Sequence, residues 1–160
     1  MKQYDVIIIG AGAAGLFAAC ELSKKNLRIL VLEKMKTAGK KLLLSGSGQC
    51  NITHDGDIED FLRRYGPNGF FLKHCLLQFS NLDLIAFLHK NNIKTIVDKN
   101  GKVFPDSLMA NDILSTFLQI CKNNSVDIFY SEPVKKINHE DSTFIISTEH
   151  SNYKTPYCII

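Results

Sequence analysis

The residues with the clearest chemical potential stand near the start of the chain, in the run Gly10-Ala11-Gly12-Ala13-Ala14-Gly15. Each glycine of this G-x-G-x-x-G spacing has a physical role: Gly10 permits a tight turn, Gly12 lets a pyrophosphate approach the backbone, and Gly15 lets a helix pack closely on a sheet. A helix that begins at Ala13 presents free N–H groups and the positive end of its dipole. The run therefore predicts a site for the phosphates of a dinucleotide.

A carboxylate follows where this fingerprint requires one. Glu33 comes directly after the apolar run 28–32, at the end of a predicted strand. There a carboxylate accepts hydrogen bonds from ribose hydroxyls and repels a 2′-phosphate, so NADP is disfavoured at this site. The alternative is a glycine-rich turn in an ordinary α/β protein. We prefer the dinucleotide site because the alternative leaves the placement of Glu33 to coincidence.

A strand–helix–strand unit must position these residues. The segment 4–9 is short, apolar and rich in β-branched residues, which is typical of a strand buried on both faces of a parallel sheet. A helical stretch from Ala13 to Asn26 follows, and residues 28–32 form a second buried strand. The fold class predicted is therefore α/β, a Rossmann-like domain with a parallel sheet.

The overall composition limits the remaining choices. The chain has 160 residues, 45% of them hydrophobic and 22% charged, which predicts one domain over residues 1–160. The net charge of +3 is too small to favour nucleic acid or membrane partners, and the uninterrupted apolar runs are short of a membrane span. Five widely spaced cysteines without a CxxC pair favour reduced thiols in the cytoplasm over disulfides or zinc.

The rest of the chain alternates between helical and β patterns. Helices are predicted over 58–65, along a face marked by Phe71, Cys75 and Phe79, from Ser80 to Lys90, and over 110–121. A hairpin is predicted around Asn100-Gly101. Strands are predicted at 126–130, 134–137, 143–148, after Asn152, and at 157–160. The cysteines at 20, 75 and 121 are expected to be buried. A buried terminal strand suggests a chain that stops early, so the fold is expected to be incomplete at its C-terminus.

Polar residues cluster in a glycine-rich and serine-rich loop after Glu33. Lys34, Lys36, Lys40 and Lys41 precede it, and they form either a cationic rim near a cofactor phosphate or a solvated loop. For Lys36 we prefer the solvated loop. Cys50 is interpreted as a packing residue or as one close to a bound cofactor, because a redox role needs a second thiol nearby. His54 and His74 are interpreted as ordinary histidines rather than catalytic bases.

Two segments resemble a known family. The stretch GKKLLLSGSGQCNITH, residues 39–54, resembles a signature of the BaiN-like, or aminoacetone-oxidase-like, family of NAD(P)/FAD-dependent oxidoreductases. The segment 101–105, followed by Ser107 and Ala110, resembles a second family segment. The resemblance implies a Rossmann-like FAD-binding domain with a parallel sheet and a small antiparallel β element. It also implies that the chain is the N-terminal portion of a longer flavoprotein.

By this resemblance, FAD would place its pyrophosphate over the glycine-rich run, its ribose on Glu33 and its adenine against the backbone of Val134. Other residues would approach the rest of the cofactor. The predicted cofactor-binding residues are Gly10, Gly12, Ala13, Ala14, Gly15, Glu33, Lys34, Lys41, Ser45, Gly46, Asn51 and Val134. No catalytic residue is identified, and no metal is expected.

The function predicted is FAD-dependent oxidation or reduction of a small-molecule substrate, with NAD(P)H as a candidate electron donor. Flavin carries the hydride chemistry, so the absence of an acid–base pair does not count against an enzyme. Three alternatives stay open: an NAD-binding module, a non-catalytic remnant, and an FAD-dependent protein that modifies tRNA. The last is disfavoured because the sequence has no strong basic patch.

Overall fold

The computed structural model describes all residues, 1–160, and divides into two compact units. The first unit comprises Met1–Leu43 and Leu114–Ile160, and the second comprises Leu44–Ile113. The α-helices are α1 (Ala13–Leu22), α2 (Lys40–Leu44), α3 (Ile58–Arg64), α4 (Lys73–Gln78), α5 (Asn81–Lys90) and α6 (Ala110–Asn123). The strands are β1 (Lys2–Gln3), β2 (Val6–Ile9), β3 (Ile29–Leu32), β4 (Thr53–His54), β5 (Thr95–Val97), β6 (Lys102–Pro105), β7 (Asp127–Phe129), β8 (Lys136–Glu140), β9 (Thr143–Ser147), β10 (Asn152–Thr155) and β11 (Tyr157–Ile159).

A four-stranded parallel sheet organises the first unit. Its strand order is β11-β2-β3-β7, and every neighbouring pair is parallel. The central strands β2 and β3 consist of Ile, Val and Leu, and most of these side chains are buried, as expected for strands covered on both faces. The predicted strand–helix–strand unit is confirmed. Helix α1 ends at Leu22, earlier than the predicted Asn26, and the Ser23 hydroxyl donates to the Cys20 carbonyl.

A second sheet in this unit has the order β1-β10-β9-β8, with β1 parallel to β10 and the other pairs antiparallel. The predicted pairing of 143–148 with residues after Asn152 is confirmed by β9 and β10. Side chains from both sheets share one buried cluster: Tyr4, Ile7, Leu30, Leu32, Ile146 and Tyr153. Burial and a hydrogen bond to Asp127 raise the pKa of Tyr4 to about 12, so this phenol stays a neutral donor.

Two strand predictions in this unit need correction. The strand expected to resume at Val134 begins at Lys136, where pairing with β9 starts. The terminal strand is present as β11, but it is an edge strand with β2 on one side only. Tyr157 is 67% exposed and Ile159 is 38% exposed. Burial of this strand was therefore predicted wrongly, because an apolar sequence does not reveal whether a neighbour covers it.

The second unit contains a small antiparallel sheet with the order β4-β6-β5. The hairpin around Asn100-Gly101 is confirmed, and the Asp98 carboxylate accepts hydrogen bonds from two backbone N–H groups of its turn. The predicted start of α5 is also confirmed as a capping box, in which Ser80 and Asp83 bond each other's backbone N–H groups. This sheet and the parallel sheet of the first unit together confirm the predicted fold class.

The helical face predicted from Phe71, Cys75 and Phe79 is wrong. Helix α4 covers only Lys73–Gln78, while Phe71 lies in a preceding 3₁₀ segment, Gly66–Leu72, and Phe79 has an extended backbone. Residues four apart share a face only within one continuous α-helix. Phe71 is consequently 87% exposed, and Cys75 is exposed as well.

By length and composition, the segment Gly66–Lys90 would be long and apolar enough to cross a membrane. Its apolar residues are interrupted by polar ones, so the short apolar runs in the sequence did not indicate it. In the structure it forms three helical pieces, with a break at Phe79 and a new helix start at Ser80. One such segment is weak evidence for a membrane span.

The cysteines should differ sharply in reactivity. Cys20 and Cys121 are fully buried with their Sγ atoms 4.0 Å apart, and the hydrogen bond with Cys121, together with burial, raises the pKa of Cys20. We expect an aromatic disulfide reagent to label Cys75 within seconds to minutes and to label the buried pair only on unfolding. Mass mapping of labelled peptides measures this. A Cys75→Ser variant is the control, and fast labelling of Cys20 in native protein would contradict the packing described.

Candidate dinucleotide-binding site

The glycine-rich turn between β2 and α1 combines open space with close packing. Gly10 has a φ of +102°, which favours glycine, and its N–H donates to the Leu32 carbonyl. A β-carbon at position 10 or 12 would have no atom within 4 Å, whereas one at Gly15 would lie 2.0 Å from the Gly10 carbonyl oxygen. The first two glycines therefore leave room above the turn, and the third lets α1 approach β2.

The N-terminus of α1 is electrostatically uncompensated. Gly12 is its N-cap, no side chain caps the helix, and its first turn has no acidic residue. Ala13 and Ala14 are exposed and have no polar side chain of their own. Because the positive end of the helix dipole and the first N–H groups are not used by the chain, this turn can accept an anion.

Glu33 is the one carboxylate next to this turn, and it is only 8% exposed. Its Oε2 accepts a hydrogen bond of 2.7 Å from the Ala11 N–H, and its Oε1 accepts one of 2.8 Å from the Met35 N–H. Its own backbone N–H donates to Phe129, and its carbonyl accepts from Glu132. Each carboxylate oxygen keeps lone-pair capacity for another donor, such as a hydroxyl.

Glu132 was missed by the sequence analysis. Its side chain is 7% exposed, and its Oε1 accepts hydrogen bonds from the Thr148 hydroxyl at 2.6 Å and the Tyr153 hydroxyl at 3.1 Å. Together with its backbone bond to Glu33, these contacts make it a positioning residue for the Glu33 segment. No local sequence signal indicates this, because both partners lie at least 16 residues further along the chain.

Val134 lies two residues after Glu132, in the irregular segment before β8. Its side chain packs against the buried cluster of the first unit, while its backbone N–H and carbonyl form no hydrogen bond within the chain. A backbone donor and acceptor left free side by side suit an adenine edge.

The basic residues after Glu33 lie at the surface. Lys34 and Lys41 are exposed and form no ion pair. The segment between them returns to the glycine-rich turn, because the Gly39 N–H donates to the Ala11 carbonyl at 2.8 Å. Both sequence interpretations of these lysines therefore stay open.

The other predicted residues belong to the second unit, in a tightly folded loop. Four residues in this loop have positive φ: Gly46, Ser47, Gly48 and Cys50. The Cys50 N–H donates to the Ser45 carbonyl at 2.9 Å, and a β-carbon at Gly46 would lie 2.8 Å from the Asn51 nitrogen. The structure thus brings Ser45, Gly46 and Asn51 together.

Cys50 lies within this loop but lacks the features of a redox nucleophile. It is 5% exposed, and burial raises the pKa of its thiol, partly offset by a hydrogen bond with Ser45. A buried neutral thiol is a poor nucleophile. The geometry supports the interpretation of Cys50 as a packing residue.

Comparison with known proteins identifies the family of this chain. The model of the HI0933-like protein Rossmann domain matches residues 4–160. The ribosomal RNA dihydrouridine synthase of Escherichia coli strain K12 is 29% identical over 146 residues, which cover 91% of this chain and 36% of that protein. The 3-dehydro-bile acid delta(4,6)-reductase of Clostridium scindens is 24% identical, covering 96% of this chain and 37% of that protein. The chain therefore spans little more than a third of the length of these relatives.

A solved structure confirms the fold. A flavocytochrome c3 fumarate reductase superposes with a TM-score of 0.71 at 15% sequence identity, covering 98% of this chain and 32% of that one. At this identity the likeness establishes the fold alone.

Two alanine substitutions should distinguish the closely packed glycine, Gly15, from Gly12, which faces open space. Gly15→Ala places its β-carbon against the Gly10 carbonyl, so we expect a loss of about 1–3 kcal/mol in the free energy of unfolding. Gly12 has an ordinary φ of −83°, and its β-carbon would enter free space. For Gly12→Ala we therefore expect the free energy of unfolding to fall by less than about 1 kcal/mol, the size of the effect of an N-cap substitution. Urea unfolding followed by circular dichroism measures both. Equal losses would contradict the described packing.

Proposed function

We propose that this chain, which belongs to the HI0933-like Rossmann domain family, is the FAD-binding portion of a flavin-dependent oxidoreductase. One observation carries the proposal: the uncapped start of α1 lies beside a buried carboxylate whose oxygens are already oriented by backbone N–H groups. An anion site next to a ribose acceptor is the arrangement that an ADP moiety requires.

In this proposal the ADP half of FAD is held by the first unit. Gly10 and Gly12 leave room for the pyrophosphate, whose charge meets the N–H groups of Ala13 and Ala14. Glu33 accepts the ribose hydroxyls, and the backbone of Val134 meets adenine. The further residues assigned to the cofactor are Lys34, Lys41, Ser45, Gly46 and Asn51. Residues 1–160 act as one FAD-binding domain in this proposal.

Bound FAD supplies hydride transfer, and the protein's part is to bind and orient it. The names of both relatives denote reduction of a carbon–carbon double bond. In uridine and in a 3-keto steroid, that bond is conjugated with a carbonyl group. We therefore propose an enone-like substrate of this class, with NAD(P)H as electron donor.

Such a substrate is either a free small molecule or a base in RNA. We favour the small molecule, because the net charge of +3 gives little electrostatic attraction for a polyanion. The relative named for ribosomal RNA favours the base. We further propose a cytoplasmic location, supported by five free thiols.

The direct test is to purify this chain, record its visible spectrum and identify any ligand released on heating. We expect flavin absorbance, or its appearance on adding FAD, with FAD as the released species. Equilibrium titration with NADH in place of FAD tests the NAD-binding alternative. A folded chain that binds neither would overturn the proposal for these residues. A chain that binds NADH but not flavin would favour the alternative.

Glu33→Gln should weaken FAD binding. A hydrogen bond to a charged group contributes about 1.5–3 kcal/mol, so loss of the charge should raise the Kd for FAD by about 10- to 100-fold. Titration calorimetry measures this, and the thermal transition checks folding. Glu21→Gln is the matched control, because Glu21 is partly exposed and paired with Lys24. Equal affinity of the Glu33→Gln and Glu21→Gln variants would exclude the ribose contact.

A further inference from the structure

The net charge of the chain is concentrated in one segment of the second unit. Residues 61–82 contain Arg63, Arg64 and Lys73 but no aspartate or glutamate. The chain has 19 basic and 16 acidic side chains, so the residues outside this segment carry 16 of each and balance. The whole formal charge of +3 therefore lies in residues 61–82, which we call the basic segment.

The basic segment also exposes large apolar side chains. Phe71 is 87% exposed, Phe70 74% and Leu77 62%. They lie in the 3₁₀ segment Gly66–Leu72 and in α4, which follows it directly. Eight residues of helical backbone span roughly 12 Å, so these side chains occupy one region of the surface. Exposed apolar side chains that cluster in this way are typical of a surface that meets a partner or a membrane.

Close packing fixes the backbone that carries these side chains. A β-carbon at Gly69 would lie 1.9 Å from the Leu62 carbonyl oxygen, so the 3₁₀ segment contacts α3 through its glycine. Phe70 and Phe71 come next in the chain and remain outside this contact. The Lys73 ammonium group lies 5.0 Å from the centroid of the Phe70 ring, which is a cation–π distance. A cation and an aromatic ring are thus held side by side at the surface.

Two cations of the basic segment are available to an anionic partner. Arg63 pairs with Asp60 on its own helix, whereas Arg64 and Lys73 are exposed and form no ion pair. Nucleic-acid bases stack on aromatic rings but do not stack on a leucine. Protruding aromatic and aliphatic side chains beside lysine and arginine are instead the combination that enters a lipid surface. Charge and apolar exposure together favour an anionic bilayer over RNA.

The backbone of this region favours a position on the bilayer rather than across it. The candidate span Gly66–Lys90 overlaps the basic segment, but α4 ends before Phe79 and a new helix starts at Ser80 with a capping box. A helix break in hydrocarbon would leave backbone polar groups without partners. At the level of the lipid headgroups, water satisfies these groups.

We propose that the basic segment is a docking surface for a bilayer that contains anionic phospholipid. Phe70, Phe71 and Leu77 enter the headgroup region, while Arg64 and Lys73 meet the lipid phosphates. The net charge of the chain does not reveal this surface, because it averages over residues that carry balanced charges. The proposal does not depend on the function proposed above, since no residue assigned to FAD lies in the basic segment.

Sedimentation of the chain with vesicles tests the surface. We expect binding to vesicles of equal parts phosphatidylcholine and phosphatidylglycerol, and weaker binding as ionic strength rises. Phe71→Ser should lower the partition coefficient about tenfold, and Lys73→Gln should lower it about fivefold. The matched controls are Val97→Ser and Lys99→Gln, both exposed in the hairpin of the same unit, and they should bind like the unsubstituted chain. Circular dichroism checks that each variant is folded.

A tryptophan probe reports which part of the chain enters the lipid. The sequence has no tryptophan, so Phe71→Trp and Val97→Trp each place a single indole at a known position. The emission of Phe71→Trp should shift to shorter wavelength on adding the mixed vesicles, because the indole leaves water. The emission of Val97→Trp should stay unchanged. Vesicle binding without a shift in Phe71→Trp would overturn the proposal.

Other outcomes would also overturn it. These are no binding to the mixed vesicles, or equal binding to vesicles of phosphatidylcholine alone. A dimer that forms without vesicles and dissociates in Phe71→Ser, measured by sedimentation velocity, would assign the surface to a second copy of the chain. Binding of polyuridylate but not of vesicles would assign it to nucleic acid. These measurements need no cofactor, so a failure to bind FAD would leave their result intact.

Discussion

The close contact between α1 and β2 is the constraint on which the first unit depends. Because Gly15 has no side chain, the helix lies against the Gly10 carbonyl at a distance that any β-carbon would prevent. The same turn is tied to β3 through the Gly10 N–H and the Leu32 carbonyl. These two contacts set the end of β3 beside the helix start, which is why the Glu33 carboxylate reaches the Ala11 N–H. The proposed anion site and the proposed ribose acceptor therefore depend on one packing requirement.

Features with a local cause could be predicted from the sequence. The strand–helix–strand unit, the capping box at Ser80 and the hairpin at Asn100-Gly101 all appear where expected. In each case, the residues that determine the structure lie within a few positions of one another or repeat with the period of a helix. The long helix α6 was predicted for the same reason, since its apolar residues recur at helical spacing over three turns.

Features that depend on distant neighbours could not be predicted. The apolar composition of β11 does not reveal that only β2 pairs with it, and the spacing of Phe71 and Phe79 does not reveal that neither lies within α4. The cofactor assignments divide in the same way. Glu33 follows from the motif itself, whereas Glu132 supports it through Thr148 and Tyr153, contacts that only the folded sheet brings about.

The contacts that stabilise the carboxylate of Glu33 bear on its role. Its carboxylate is nearly buried, yet it is stabilised by two backbone N–H groups and forms no ion pair with any lysine or arginine. Backbone donors orient the two oxygens without a mobile side chain, so little conformational entropy is lost when hydroxyl groups bind. A paired cation would instead compete with a ligand hydroxyl group for the same oxygens. A carboxylate held in this way is better suited to recognising a ligand than to stabilising the fold alone.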